Sequence, residues 1–504
     1  MLTFIICAAG PVLAQISTAK VTGGAVEGVV KDGIAAFKGI PFAAPPVGDL
    51  RWRSPQPVKP WEGARKADSY APAPMQDPGL ITKMGGASKI SEDCLYLNVW
   101  TGAKKANEKR PVMVWIYGGA FVGGTTSFPT TEGNKFAEKG VVLVSIAYRV
   151  GPMGFLAHPE LSKESGKGSG AYGIQDQIAG LKWVKENIAQ FGGDPSNVTI
   201  FGESAGGMSV GMLVASPMAK GLFQRAISES GGAVSPTRGS LKMAENQGKD
   251  FLNKLGANDI KAARALSAET IQQGLKGGGA SFWPVADGAT VMGNPYELFE
   301  AVKFNDTPIL IGTNSNEGGL FMTQKITSTG FEQIIQKRFA AAADVFLKAY
   351  PHATDAEATR SNQDIFRDST FAWPTWAWAK LQSRNGKNKV FVYHFDHRTP
   401  ASPDGANHAA EISYVFGNLG GFGGSNGPED KALSELISSY WVNFANHGDP
   451  NGSGLPVWPT FDEKEQKTMF FDKVSGARPH PNLDKLKAFD AYYAKLREEA
   501  KSKK

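Results

Sequence analysis

Residues 198–207, Val-Thr-Ile-Phe-Gly-Glu-Ser-Ala-Gly-Gly, constrain the fold more than any other part of the sequence. Residues 198–201 are a short apolar run, typical of a strand that is buried on both faces of a parallel sheet. The next five residues fit the pattern G-x-S-x-G, and a helix-compatible segment follows. Side chains two residues either side of the serine would collide with neighbouring strands, so only glycine fits there. The pattern predicts a strand, a strained turn that presents Ser204, and a helix.

A nucleophilic serine needs further groups from elsewhere in the chain. A hydroxyl is a poor nucleophile near neutral pH, so Ser204 requires a histidine base whose proton is held by a carboxylate. In enzymes that present serine on such a turn, the acid and then the histidine follow it, on loops after later strands. His408 lies in a loop about thirteen residues after a strand-like run that ends near Phe395. Glu317 also follows a strand end, and its position ranks it above Asp287 as the acid.

A second group of small residues favours an anion-binding loop. Gly118, Gly119 and Ala120 directly follow a strand-like run at 112–117, and Phe121 comes next. Small side chains let backbone N–H groups approach a substrate oxygen. The N–H of Ala205, at the start of the helix after the serine, can face the same anion.

Strand-like and helix-like stretches alternate along the chain, which predicts βαβ units and a mainly parallel, doubly wound α/β sheet. Residues 18–40 alternate like an antiparallel edge, and two helical insertions near 240–280 and 320–385 are expected to cover the site. The other predicted strands are 95–100, 112–117, 141–148, 198–201, 225–230, 308–313 and 390–395, with a helix at 175–191. Aromatic residues of the second insertion favour helix packing over a ligand cage: Phe371, Trp373, Trp376 and Trp378.

Charge and composition argue against several classes of protein. Of 504 residues, 41% are hydrophobic and 20% charged, which is typical of a globular chain with a large core. About half of the net charge of +6 lies in residues 484–504. The rest of the sequence has no basic stripe interleaved with aromatic residues, so nucleic-acid binding is not expected. No stretch reaches about 18 uninterrupted apolar residues, so no membrane span is expected. Residues 168–173 match G-x-G-x-x-G but follow a polar loop rather than a strand, which disfavours a dinucleotide site.

The N-terminus has the character of an export signal. Residues 1–14 are largely apolar and end in Val-Leu-Ala, a plausible cleavage site, although no basic residue precedes Lys20. We therefore expect a mature chain from near Gln15, one catalytic domain over 15–504, and a periplasmic or secreted location; the alternative is a buried N-terminal segment. Cys7 would leave with the signal and Cys94 would be unpaired, so neither a disulfide nor a cysteine metal site is expected.

Longer motifs are spread over nearly the whole chain, and together they resemble the type-B carboxylesterase/cholinesterase family of the α/β-hydrolase superfamily. The motifs are GIPFAAPP (39–46), EDCLYLN (92–98), WIYGGAF (115–121), FGGDP (191–195), GESAGG (202–207), PVADG (284–288), GANH (405–408) and FANHGDPN (444–451). The resemblance implies a triad of Ser204, Glu317 and His408, with no metal or cofactor. It also implies an oxyanion hole from the N–H groups of Gly119, Ala120 and Ala205, and supporting roles for Glu203 and Ser230.

Three departures from the family pattern are informative. Ala120 stands where most relatives have a third glycine, but its N–H remains. The family's first disulfide would pair Cys94 with the position that Pro74 occupies, so that bridge is absent. Residues 75–93 contain no aromatic side chain for cation–π contact with choline, which disfavours a cholinesterase.

The expected function is hydrolysis of small to medium carboxylic esters by a monomer or weak dimer that binds only a small-molecule ester. One alternative is a specialised hydrolase of aromatic or polymeric esters of the feruloyl, phthalate or polyester type. Phe121, Phe282, Trp283 and Phe371 could line an aromatic gorge, but core packing explains them equally well. A remote alternative is a non-catalytic binding protein of the same family; such members lack the nucleophile, whereas Ser204 is present.

Overall fold

Short apolar runs rich in β-branched and aromatic residues form most of the central strands of the protein, as their composition favours. The computed structural model describes residues 15–83, 85–86, 89–232, 239–276, 278, 280–421 and 425–502. The proposed signal segment, residues 1–14, lies outside the described residues. The strands are β1 (Thr18–Val21), β2 (Gly24–Glu27), β3 (Val29–Lys31), β4 (Ile34–Pro41), β5 (Ala64–Lys66), β6 (Ala73–Pro74), β7 (Ile90–Ser91), β8 (Tyr96–Thr101), β9 (Arg110–Ile116), β10 (Val142–Ile146), β11 (Gly193–Glu203), β12 (Arg225–Glu229), β13 (Ile309–Asn314), β14 (Val390–Phe395), β15 (Lys467–Phe471) and β16 (Gly476–Pro479).

Helices separate most of the central strands. They are α1 (Pro78–Lys83), α2 (Asn134–Glu138), α3 (Gly151–Phe155), α4 (Pro159–Ser165), α5 (Tyr172–Asn187), α6 (Ala205–Ala215), α7 (Leu241–Lys254), α8 (Ile260–Ala265), α9 (Ala268–Gln273), α10 (Pro295–Glu300), α11 (Ser328–Phe339), α12 (Ala343–Ala349), α13 (Asp355–Arg367), α14 (Trp373–Asn385), α15 (Ile412–Phe416), α16 (Pro428–His447) and α17 (Leu483–Ser502). A π-helical turn, Asp368–Ala372, joins α13 to α14. None of the described helices is long and apolar enough to cross a membrane.

The main sheet of the described residues has eleven strands in the order β16-β15-β14-β13-β12-β11-β9-β10-β8-β4-β3. Every pair from β10 to β15 is parallel, and the pairs at both edges are antiparallel. The predicted α/β fold with a mainly parallel sheet is therefore confirmed. The sequence reading missed β15 and β16, because the apolar run of β15 is short and polar residues precede it.

The parallel register brings several strand ends to one edge of the sheet. Gly202 of β11 lies opposite Ile116 of β9 and Ser228 of β12, and Glu229 lies opposite Gly312 of β13. Loops that follow these strands therefore start close together, as is typical of ligand sites in open α/β sheets.

A buried ion pair ties α5 to the end of β10. The guanidinium of Arg149 donates two hydrogen bonds to Asp176, from Nε at 2.8 Å and from Nη2 at 2.7 Å. The backbone N–H of Arg149 donates to the same carboxylate at 3.0 Å. Both side chains are buried. The pair is sheltered from solvent, so loss of one partner would leave an uncompensated charge.

We predict that Asp176→Asn destabilises the protein by about 3–5 kcal/mol, because Arg149 would remain buried without its counter-charge. Lys66→Gln, which breaks an exposed ion pair with Glu27, is the control and should leave stability almost unchanged. Urea unfolding followed by circular dichroism measures both variants. Equal unfolding midpoints for the two variants would contradict the prediction.

Candidate active site

Ser204 sits on a sharp turn between β11 and α6. Its backbone angles are φ 55° and ψ −122°, a region that residues other than glycine rarely adopt. The turn is tight because a Cβ on Gly202 would lie 2.5 Å from the carbonyl oxygen of Ile116, and one on Gly206 only 1.9 Å from it. The Ser204 N–H donates to the carbonyl of Glu229 at 2.9 Å. Neighbouring strands therefore hold the serine in a conformation that it would not adopt alone.

His408 and Glu317 are in direct contact. Nδ1–H of His408 donates to Oε2 of Glu317 at 2.6 Å. The other oxygen of Glu317 accepts from Ser230 Oγ at 2.6 Å and from the backbone N–H of Asn314 at 2.7 Å. Glu317 is fully buried. Three donors thus fix the carboxylate, and the carboxylate fixes the orientation of the imidazole.

The second imidazole nitrogen faces Glu203, the residue before Ser204. Nε2 of His408 lies 3.1 Å from Oε1 of Glu203. Within the described part of the chain, no hydrogen bond joins Ser204 Oγ to His408. Bonds of this kind often form only when substrate is bound. The structure thus places Ser204 beside a carboxylate that contacts the same imidazole as Glu317.

The pKa of His408 is shifted by its neighbours. Burial favours the neutral ring, but the charges of Glu203 and Glu317, with the hydrogen bond that Nδ1–H donates to Glu317, outweigh burial and raise the pKa above its ordinary value. Burial raises the pKa of Glu203 in turn. The site therefore favours a protonated imidazole more strongly than water does.

Two more buried glutamates surround this pair, and the sequence reading missed both. Oε2 of Glu411 accepts from Asn314 Nδ2 at 2.5 Å, and Oε1 of Glu229 accepts from the indole N–H of Trp441 at 2.7 Å. Burial raises the pKa of each carboxyl. Their positions gave a signal, because Glu411 is three residues after His408 and Glu229 directly precedes Ser230.

Two phenylalanines contact the His408 ring. The ring of Phe371 stacks on it with centroids 4.7 Å apart, and Phe321 meets it edge-on at 5.1 Å. Phe371 belongs to the π-helical turn, a feature that often occurs at functional sites. The imidazole is therefore held on its faces as well as at its nitrogens.

The loop after β9 carries the predicted oxyanion donors. Gly119 and Ala120 have positive φ angles of 115° and 54°. A Cβ on Gly118 would lie 3.0 Å from the Cβ of Ser204, so this loop passes directly beside the serine. The N–H groups of Gly119, Ala120 and Ala205 donate to no acceptor among the described residues. Three unpaired N–H groups thus lie on this loop and at the residue that follows the serine.

The other sequence candidates lie as follows. Asp287 caps a turn by accepting hydrogen bonds from the N–H groups of three residues, Ala289, Thr290 and Val291, and it does not contact His408.

The aromatic candidates pack on other aromatic rings. Phe121 is buried and packs on Trp283, with ring centroids 5.2 Å apart, while Phe282 packs on Phe251 at 5.0 Å. A cavity of about 870 Å³ is lined by Phe282 and Trp283 among others. Phe371 stacks on the ring of His408. The described residues contain no cluster of His, Cys, Asp or Glu suited to a metal ion.

Comparison with known proteins gives one family. A family model described as "Carboxylesterase family" matches residues 11–487. The chain is 38% identical to fumonisin B1 esterase of Sphingopyxis macrogoltabida over 492 residues, covering 92% of this chain and 89% of that protein. It is 36% identical to para-nitrobenzyl esterase of Bacillus subtilis over 494 residues, covering 92% and 96%.

Solved structures give the same result. A PNB esterase structure, 34% identical in sequence, superposes with a TM-score of 0.82 and covers 94% of this chain and 99% of that chain. A carboxylesterase of Geobacillus stearothermophilus, also 34% identical, superposes with a TM-score of 0.83 over the same shares.

We predict that Glu203→Gln moves the acid limb of the kcat/KM–pH profile to lower pH. A histidine base must be neutral, so a raised pKa makes activity increase with pH through the neutral range. Removal of the Glu203 charge lowers that pKa, and we expect a shift of about one pH unit or more. Glu132→Gln, a half-buried carboxylate that does not contact His408, is the control. An unchanged limb in Glu203→Gln would show that Glu203 does not set the pKa.

Proposed function

The chain belongs to the carboxylesterase family of carboxylic-ester hydrolases, and we propose that it acts through an acyl-enzyme formed on Ser204. His408 serves as the general base and Glu317 holds its Nδ1–H. The observation that carries this proposal is the 2.6 Å bond between His408 and Glu317 beside the strained serine turn. The free N–H groups of Gly119, Ala120 and Ala205 support it further.

The reaction has two half-steps. In the first, Nε2 of His408 exchanges its contact with Glu203 for one with Ser204 Oγ. It takes the hydroxyl proton of Ser204 as the serine oxygen attacks the ester carbonyl. The carbonyl oxygen becomes an oxyanion, which the three backbone N–H groups bind. The carbon–oxygen bond to the alcohol then breaks, and the alcohol leaves with the proton from His408.

The second half-step releases the acid. His408 takes a proton from water, which attacks the acyl carbon, and the same N–H groups bind the second oxyanion. The bond to Ser204 Oγ breaks and the serine recovers its proton from His408. Glu317 fixes the orientation of the imidazole, which thus transfers one proton in each half-step. Glu203 and Glu317 favour the imidazolium that forms in both.

An aromatic or polymeric ester is a second candidate substrate class. The cavity of about 870 Å³ has aromatic walls from Phe155, Phe251, Phe282 and Trp283. Phe155 and Trp283 each pack on Phe121, which directly follows the proposed oxyanion donors. Two relatives are named for different esters, fumonisin B1 and para-nitrobenzyl esters. We therefore infer that the aromatic residues around this cavity determine which esters this chain accepts.

Export is part of the proposal as well. The apolar residues 1–14 support a signal segment and a periplasmic or secreted enzyme.

We predict that Ser204→Ala abolishes hydrolysis of p-nitrophenyl butyrate, because no other hydroxyl sits on the strained turn. Residual activity should be below about 1% of wild type. Ser216→Ala, at the opposite end of α6 from Ser204, is the control and should stay active. A Ser204→Ala protein that is folded and retains more activity than this would refute the nucleophile assignment.

We also predict that an ester panel varied independently on its acyl and alcohol sides separates the two substrate classes. A general esterase should hydrolyse butyrate faster than palmitate and gain nothing from an aromatic acyl group. An aromatic-ester hydrolase should prefer benzoyl or cinnamoyl esters over alkyl esters of similar volume, and Trp283→Leu should remove that preference.

A further inference from the structure

The end of the proposed oxyanion loop is held by a side chain from a distant segment. Oε1 of Gln76 accepts the backbone N–H of Gly124 at 2.7 Å, and its Nε2 donates to the carbonyl of Gly124, also at 2.7 Å. The same Nε2 donates to the carbonyl of Pro74 at 3.0 Å. Gln76 is 1% exposed. One amide thus satisfies both backbone groups of Gly124 and is anchored to its own segment.

Gly124, the last residue of the 118–124 loop, packs against the first residues of the same loop. Its φ is +134°, and a Cβ there would lie 2.2 Å from the ring of Tyr117 and 2.7 Å from the carbonyl of Gly118. A Cβ on Gly119 would lie 2.3 Å from the carbonyl of Gly123. The two ends of the 118–124 loop are therefore packed backbone against backbone. A displacement of Gly124 would be transmitted to Gly118 and Gly119.

The other attachments of the loop hold its start and middle. The hydroxyl of Tyr148 donates to the carbonyl of Tyr117 at 2.9 Å, and the N–H of Gly151 donates to the carbonyl of Phe121 at 2.7 Å. Among the described residues, Gln76 is the hydrogen-bonding partner of the Gly124 backbone. Without the amide, a buried N–H and a buried carbonyl would be left unpaired, an arrangement that folded proteins avoid. The loop would then gain stability by moving Gly124 toward water.

We propose that Gln76 is a positioning residue for the oxyanion hole. By fixing Gly124, its amide keeps the N–H groups of Gly119 and Ala120 pointed at the same oxygen as the N–H of Ala205. Gln76 touches neither substrate nor Ser204 and acts only through the loop. The inference rests on the proposed acyl transfer at Ser204.

Two variants test the role. Gln76→Met keeps the approximate volume and removes every hydrogen bond to Gly124, whereas Gln76→Glu keeps an acceptor for the Gly124 N–H and loses the donor. The matched control is Gln382→Met. Gln382 is equally buried and its Nε2 also bonds two groups, Asp306 and the carbonyl of Thr307, away from the loop. The control therefore reports the general effect of losing a buried amide.

The readouts are kcat, KM and the inhibition constant of an aryl trifluoromethyl ketone, which forms a hemiketal oxyanion on a nucleophilic serine. Gln76→Met should lower kcat by about 10–100-fold and weaken ketone binding by a similar factor, because removal of one oxyanion donor costs about 100–1,000-fold and a misplaced donor loses part of that effect. KM should change less than about twofold, because the ground-state carbonyl uses these donors little. Gln76→Glu should fall between wild type and Gln76→Met. Gln382→Met should lower the melting temperature but leave kcat and ketone binding near wild type.

Several outcomes would overturn the role. One is a folded Gln76→Met with kcat and ketone binding near wild type. Another is a matched loss in Gln382→Met, which would make the effect a general one. If Gln76→Met does not fold, Gln76→Glu decides between the same outcomes. A failure of this inference is separable from a failure of the proposed function, because activity in Ser204→Ala would refute the acyl-enzyme whatever Gln76 does.

Discussion

The backbone at Ser204 adopts angles that a serine avoids, and the rest of the site is built around that turn. Two glycines permit it, since a Cβ at Gly202 or Gly206 would overlap the carbonyl of Ile116 on the neighbouring strand. The turn can be this tight only because β9, β11 and β12 are parallel and end at the same edge. The sheet supplies the packing that offsets the cost of the strained residue, about 1–3 kcal/mol.

A second constraint is the charge enclosed behind the serine. His408 lies between Glu203 and Glu317, and Glu229 and Glu411 are buried close by. Buried carboxyls require partners, and the chain provides them from Ser230, Asn314 and Trp441. This shell makes the imidazole a stronger base than a free histidine. The basicity of His408 also depends on pH, because burial raises the pKa of Glu203 and of Glu411. When these carboxyls are protonated, they no longer stabilise the imidazolium.

Sequence reading located the groups whose positions follow from strand order. Ser204, Glu317 and His408 each follow a strand-like run, so their approach at one sheet edge could be inferred from parallel topology. The contact of Glu203 with Nε2 of His408 could not be inferred, since a sequence does not give the side-chain orientation of a buried glutamate. Gln76 was invisible for a different reason: it lies in a segment without periodicity, and its partner is a backbone glycine 48 residues away. The stacking of Phe371 on His408 could not be predicted either, because sequence spacing does not predict a π-helical turn.

We propose that a single serine, on the strained turn, carries the acyl group. Peptide mapping by mass spectrometry after reaction with diethyl p-nitrophenyl phosphate tests it most directly, because the organophosphate attaches to the attacking oxygen and the adduct persists. We expect one diethylphosphoryl group per chain, on Ser204, with loss of activity in proportion to labelling. Labelling at another residue, or complete inactivation with Ser204 unmodified, would contradict it.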